Sequence, residues 1–426
     1  MAGPARGGLP HKVLSPAPNR KARLPNTPQE VLHNTMQSRR PLAVIFVTVF
    51  VDMMSFGLVM PDLQIRAPQL GAGGWKLGVV QGVFSFCTFL AAPWFGRLSD
   101  RVGRKPVLAL GAVLNAVSFL LYAYAHDFPS LLAARIMGGI GSSNLSAAFA
   151  YVSDVTAEEK RAKSFGFLGA AFGLGFIIGP VAGGVLAERG GNWLLGIVAM
   201  SVALTNFAWI LLALREGRKP ATSAAVFNLR ALREAVALPG MAVLLILFGV
   251  YNFGFSNLEA TFVRLMHTNH GLDREHTGYI LGFVGVCMAF VQAGLVGKAA
   301  ARFGERWMVR LGLLMVVPVF MLLPFVPTVP LVYLILVPLA VGAGMAGPGI
   351  QSLISRTASA SIQGGMFGVT QGLGALARTA GPIVGNTLYE SKPAYPYLAG
   401  ALVILLPVAI SWLALPSLAP SHKRVP

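Results

Sequence analysis

Twelve apolar runs, each long enough to cross the hydrocarbon core of a bilayer as a helix, dominate this sequence and leave few alternatives for its fold. They occupy roughly residues 41–63, 76–97, 106–126, 129–151, 164–187, 192–214, 241–263, 277–298, 307–327, 331–353, 364–388 and 395–415. A bilayer offers no water to the backbone, so segments of this length must satisfy their own N–H and C=O groups as helices. The 426 residues are 55% hydrophobic and only 12% charged, which excludes a soluble domain. An all-α polytopic membrane protein with twelve transmembrane helices is expected. The Gly and Pro within several runs are tolerated better in membrane helices than in soluble ones.

The cations sort by side of the membrane. Of 34 Lys and Arg, 26 lie in the termini and in alternate connections, at 1–40, 97–105, 160–163, 215–233, 298–310, 356 and 423–424. The opposite connections hold six, and Arg135 and Arg378 lie inside runs. Under the positive-inside rule both termini are cytoplasmic, in a multi-pass protein of the cell (inner, cytoplasmic) membrane. The net charge of +18 thus serves topology, and no nucleic-acid partner is expected. Residues 1–40, rich in Pro, Arg and small side chains, read as a disordered basic cytoplasmic tail, with an organellar transit peptide as the minority reading. The domain map is then a six-helix bundle over 41–214, a cytoplasmic linker over 215–240, a second six-helix bundle over 241–415 and a tail over 416–426.

The two bundles are related in sequence. Phe165-Gly166 and Gly179-Pro180-Val181-Ala182-Gly183 reappear 202 residues later as Phe367-Gly368 and Gly381-Pro382-Ile383-Val384-Gly385. The charged turn at 96–105 recurs 201 residues on, with Gly297, Arg302, Gly304 and Arg306 for Gly96, Arg101, Gly103 and Lys105, and Ala301 in place of Asp100. Six helices separate the copies, so the halves share orientation. Parallel repeats about the membrane normal are a transporter architecture.

Charges inside spans are expensive and mark function. Asp52, Arg135, Glu259 and Arg378 are such charges, and each should face a polar cavity and have a partner. Two static ion pairs are one reading. The other is proton coupling, in which Asp52 and Glu259 carry protons and Arg135 and Arg378 gate them, since nearby cations and burial decide whether a carboxyl keeps its proton. Helical periodicity adds Asn252 and Ser256 to the Glu259 face, Gln371 to the Arg378 face and Ser142 to the Arg135 face. With Tyr251, these form a candidate substrate cavity. Asn144, nine residues from Arg135, points away from that face in a straight helix. Isolated Gln81, Asn115 and Gln292 are expected to serve interhelical hydrogen bonds. Cys87 and Cys287 lie inside runs and none of the seven histidines has metal-ligand spacing in a span, so no metal site is expected.

The turn Gly96-Arg97-Leu98-Ser99-Asp100-Arg101-Val102-Gly103-Arg104-Lys105 is similar, in its G-x-L-S-D-R-x-G-R-K order, to the loop between helices 2 and 3 of the major facilitator superfamily of secondary transporters. Gly175, Gly179, Pro180, Gly183 and Gly184 resemble the fifth-helix signature of drug/proton antiporters. Arg135 in Arg-Ile-Met-Gly-Gly-Ile-Gly resembles that group's proton-coupling arginine. Val51-Asp52 with Gly57-Leu58-Val59-Met60-Pro61, and Ala150-Tyr151-Val152-Ser153-Asp154, are similar to tetracycline-efflux proteins.

The resemblance implies export of small, largely apolar or cationic molecules in exchange for protons, by alternating access. It implies that Asp100 and Arg101 latch the cytoplasmic side, with Asp100 near the start of helix 11. Gly96, Gly103, Arg104, Lys105, Gly179, Pro180, Gly381 and Pro382 complete the expected conformational gating set. Tetracycline pumps carry an acid in helix 8, where this chain has Gln292, and Glu259 in helix 7 stands as its replacement. No cofactor is expected beyond the proton gradient, and the partners are a small-molecule substrate, protons and lipid, for a monomeric chain. A proton-coupled symporter or facilitator for a metabolite is the alternative, and a transport-dead receptor a third reading. No enzyme constellation is present.

Overall fold

The computed structural model describes Gly3, residues 28–156, 158–214, Glu216, Leu238, 240–358 and 363–413. Most of the expected N-terminal tail, the 215–240 linker and the C-terminal tail lie outside the described residues. The described chain is helical, and its helices are numbered here by membrane crossing. They are α1 (Pro28–Gln69), α2 (Trp75–Val102), α3 (Arg104–Ala123) and α4 (Phe128–Gly141, continued by Leu145–Val155). Next come α5 and α6, fused over Glu158–Ala213, then α7 (Met241–His270), α8 (Arg274–Phe303) and α9 (Glu305–Phe325). The last are α10 (Val329–Thr357), α11 (Gln363–Ser391) and α12 (Tyr395–Leu413). Among the described residues, nine stretches qualify as membrane spans by length and hydropathy, and one of these, Gly166–Ala213, holds two. A 3-10 turn interrupts α4, and Gln371, Arg378 and Thr379 dilute α11; these two bring the spans to twelve.

Local chemistry sets the breaks. Gly191 takes φ 63°, a region that side chains with a Cβ rarely adopt, and there the fused helix divides into α5 and α6. Asp127 caps α4 in a capping box with Ser130, and Asp273 accepts from the His276 amide at the head of α8. The first helix is described from Pro28, inside the stretch expected to be unstructured; a proline costs no hydrogen bond in a first helical turn. It also runs on to Gln69, past the end of the first apolar run.

Each bundle has its own apolar core. Two clusters are built only from residues 44–214, and two only from residues 241–404 plus their partly buried neighbours. The internal repeat is visible in the backbone: Gly103 joins α2 to α3 at φ 104°, and Gly304, 201 positions on, joins α8 to α9 at φ 80°. The bundles meet mainly along α2 against α11 and α5 against α8. These seams are tight on the face opposite the 96–105 turn, termed here the far face. A Cβ on Gly78 would overlap the Ile383 backbone, one on Gly82 the Thr379 carbonyl, and one on Gly184 the Arg274 carbonyl. One on Gly278 would lie 2.6 Å from the Pro180 carbonyl oxygen. Toward the turn face the same helices part, and Gly169 and Gly173 of α5 and Gly294 and Gly297 of α8 have nothing within 4 Å of a Cβ position. The crevice is closed at the far face and open at the turn face.

Candidate functional site

Three of the four expected intramembrane charges converge where the seam closes. Arg135 from α4, Glu259 from α7 and Arg378 from α11 line one cavity, with Phe56, Met60, Gln81, Ser85, Ser256 and Pro382. The wall thus comes from both bundles. Glu259 and Arg378 feel each other's charge without a direct ion pair. Arg135 donates through Nε to the Val80 carbonyl at 3.4 Å, and its guanidinium lies 4.4 Å from the Phe84 ring centre. Aromatic faces attract a desolvated cation, which holds Arg135 without neutralising it. Ser256 donates to the Ala377 carbonyl, tying α7 to α11 beneath the cavity, close to Gly381.

Asp52 lies apart from this group. It is 2% exposed, and Asn115 of α3 donates to its Oδ1 at 3.1 Å. The partner expected for each intramembrane charge is, for Asp52, the side-chain amide of Asn115, and Asp52 makes no ion pair with either intramembrane arginine. Asn144 also turns its amide to the Asp52 carboxyl, although its two polar atoms and Asp52 Oδ2 form no hydrogen bond of good geometry. The straight-helix reading pointed Asn144 away. The 3-10 turn Ser142–Asn144 tightens α4 and swings it inward. Ser142 faces Asn115 at 3.4 Å in a second cavity that also touches Ser118, Tyr122 and Arg135.

Other expected cavity residues sit elsewhere in this conformation. Tyr251 belongs to the apolar core of the second bundle, its ring 6.0 Å from that of Phe255. Asn252 returns its amide to the Phe248 carbonyl of its own helix, and Gln371 is exposed. In the turn, the expected latch is an internal knot of the first bundle. Arg104 contacts Asp100 at 2.6 Å and Asp154 at 3.0 Å, and a Glu216 oxygen accepts from its amide at 2.7 Å. Gly103 makes room for that carboxylate, since a Cβ there would lie 2.7 Å from it. Lys105 donates to the Leu211 carbonyl, Gly96 is buried and Arg101 is exposed. The expected approach of Asp100 to the start of α11 falls on side chains outside the described residues.

The sequence did not single out the far-face network. Asp62, 1% exposed, accepts from Tyr122 Oη at 2.6 Å and from Arg274 Nε at 2.8 Å. Arg66 lies 4.0 Å from Asp62 and donates to the Tyr122 and Ala125 carbonyls. Arg274 also reaches Glu188 at 3.4 Å. Glu390 of α11 accepts from the Gly74 amide and from Arg264. Asp62 and Arg66 were hidden at the end of the first apolar run, where charges ordinarily belong to a loop. Gln64 of α1 donates to the Glu259 carbonyl, and Gln81 of α2 to the Ala260 carbonyl.

Comparison with known proteins agrees with this architecture. The Major Facilitator Superfamily model matches residues 45–382 and 244–425. The human major facilitator superfamily domain-containing protein 10 is 28% identical over 423 residues, covering 88% of this chain and 91% of that protein. The class C tetracycline resistance protein of Escherichia coli is 28% identical over 366 residues, covering 84% of this chain and 91% of that one. The crystal structure of the human organic anion transporter MFSD10 (TETRAN) superposes with a TM-score of 0.67 at 25% identity, over 88% of this chain and 99% of that one.

Proposed function

Since the chain belongs to the Major Facilitator Superfamily, we propose that it is a proton-coupled exporter of small amphipathic organic molecules, working by alternating access with both termini in the cytoplasm of the cell. The observation that carries this reading is the convergence of Arg135, Glu259 and Arg378 on one cavity between the bundles, beside a closed far face. A carboxyl there, near but not bonded to a guanidinium, is free to exchange a proton when the crevice opens to either side. Apolar Phe56, Met60 and Pro382 supply a surface for the body of the substrate. The relatedness to a tetracycline resistance protein supports efflux.

Two guanidiniums to one carboxyl give this wall a positive balance, which favours an anionic group on the substrate over the cationic cargo expected from the sequence. The human relative is an organic anion transporter, which points the same way. Charge balance then ties substrate to proton movement. A bound cation expels the proton from Glu259 and gives exchange, the export reading; a bound anion retains it and gives co-transport, the second reading, which the positive wall favours. Proton movement in liposomes loaded with a pH dye separates the two. A naphthalene sulfonate and tetraphenylphosphonium are the probes, and Glu259→Gln should abolish proton movement with either while leaving folded protein. Unaltered coupling in that variant removes Glu259 from the reading.

A further inference from the structure

Two glutamines of the first bundle grip the backbone of α7 at the residue that carries the candidate exchange carboxyl. Gln64, 1% exposed, donates through Nε2 to the Glu259 carbonyl at 3.0 Å and accepts at Oε1 from the Val263 amide at 3.1 Å. Those two backbone groups are four residues apart, the spacing that an α-helix ordinarily closes on itself. At the next residue of α7, Gln81 donates to the Ala260 carbonyl at 3.1 Å and accepts from Asn386 of α11 at 2.8 Å. Gln81 is also part of the cavity wall beside Glu259, so one amide touches both the site and the seam.

We infer that Gln64, seconded by Gln81, is a positioning residue for transport: its amide holds α7 at Glu259 in the far-face-closed register and lets go only when that stretch of α7 moves. This rests on Glu259 being the exchange site. Three features make the clamp specific. Only one alignment of α1 with α7 brings a single side-chain amide to both Glu259 O and Val263 N. Val263 and Asn386 are fully buried at the seam, so an amide that loses its partner there bears the full cost of an unpaired buried polar group. A partly made clamp is therefore disfavoured, and the seam is either complete or flooded. Finally, one clamp bond falls on the backbone carbonyl of Glu259 itself and another on that of its neighbour Ala260, so a displacement of the Glu259 side chain on gaining or losing a proton or substrate is passed directly to the seam.

The test is the far-face distance in the full chain in liposomes, with spin labels at the exposed helix ends Gln69 and Ser391 in a Cys87→Ser, Cys287→Ser background. Gln64→Met preserves length and volume and removes both hydrogen bonds. It should raise the far-face-open fraction at least fivefold. Glu259→Gln, which mimics the protonated acid, should shift the distances in the parent but add nothing in the Gln64→Met background, a non-additivity that a merely structural contact would not produce. Gln81→Met should act in the same direction, and carries the test if Gln64→Met does not fold. Unchanged distances in Gln64→Met, or shifts that add independently with Glu259→Gln, would overturn the clamp. Failure of the exchange reading is seen separately, as proton movement that survives Glu259→Gln.

Discussion

Arg274 at the head of α8 donates to Asp62 of α1 at 2.8 Å, and this bond joins the two bundles across 212 residues of sequence. Because Tyr122 and Arg66 crowd the same carboxylate, Asp62 stays buried although it lies near the end of its helix. The pair closes the far face and must part if that face is to open. Replacing Arg274 with Gln leaves a buried carboxylate short of its cross-bundle partner. The closed state should lose on the order of 3 kcal/mol relative to the open one, given the cost of breaking a buried pair. Label-to-label distances across the far face should lengthen, while Lys76→Gln, at an exposed hydrogen bond within one bundle, should leave them unchanged.

The glycines on the seams should divide by face. Gly78→Ala and Gly82→Ala place a methyl group against the backbone of α11, so the far face should fail to close and transport should be lost in a folded protein. Gly173→Ala meets open space in this conformation. Its melting temperature should hold or rise slightly, since alanine is the better helix former. Thermal unfolding and flux, measured on the same preparations, would separate the two groups.

The knot around Arg104 is a stability element of the first bundle. Arg104→Ala strands Asp100 and Asp154 together without their shared cation, and stability should fall by about 3 kcal/mol. Arg104→Lys should recover only part of this, because a single ammonium cannot reproduce the forked contacts of a guanidinium. A melting-temperature series over the three proteins tests the order.

A pH effect is expected at the start of α4. The side-chain hydroxyl and then the amide of Ser130 bond to the Asp127 carboxylate and hold it below its ordinary titration range. A group with a lowered folded value stabilises above its unfolded value of 3.8 and loses that contribution as pH falls through the lower folded value. Protection from hydrogen exchange at the Ser130 and Leu131 amides, taken against the intrinsic rate at each pH, should therefore fall below about pH 4. In Asp127→Ala that protection should already be low at neutral pH.

Much of this was legible in the sequence for local reasons. Run length fixes the number of crossings, because the bilayer has one thickness. Six crossings between copies fix the parallel repeat, and the Gly103 and Gly304 joints repeat it in the backbone. The cost of charge in hydrocarbon singles out Arg135, Glu259 and Arg378, and helical spacing puts Ser256 on the cavity side with Glu259. What the sequence could not specify is which side chain meets which. Asp52 meets Asn115 of a separate helix, and Asn144 turns toward the same carboxyl because a three-residue 3-10 turn tightens α4. Asp62 finds Arg274, and Gln64 finds Glu259 across 195 residues, only once two bundles are pressed together at one face. Such pairings depend on the relative depth and rotation of separate helices, which are settled by packing between them. Periodicity within one helix carries no record of them.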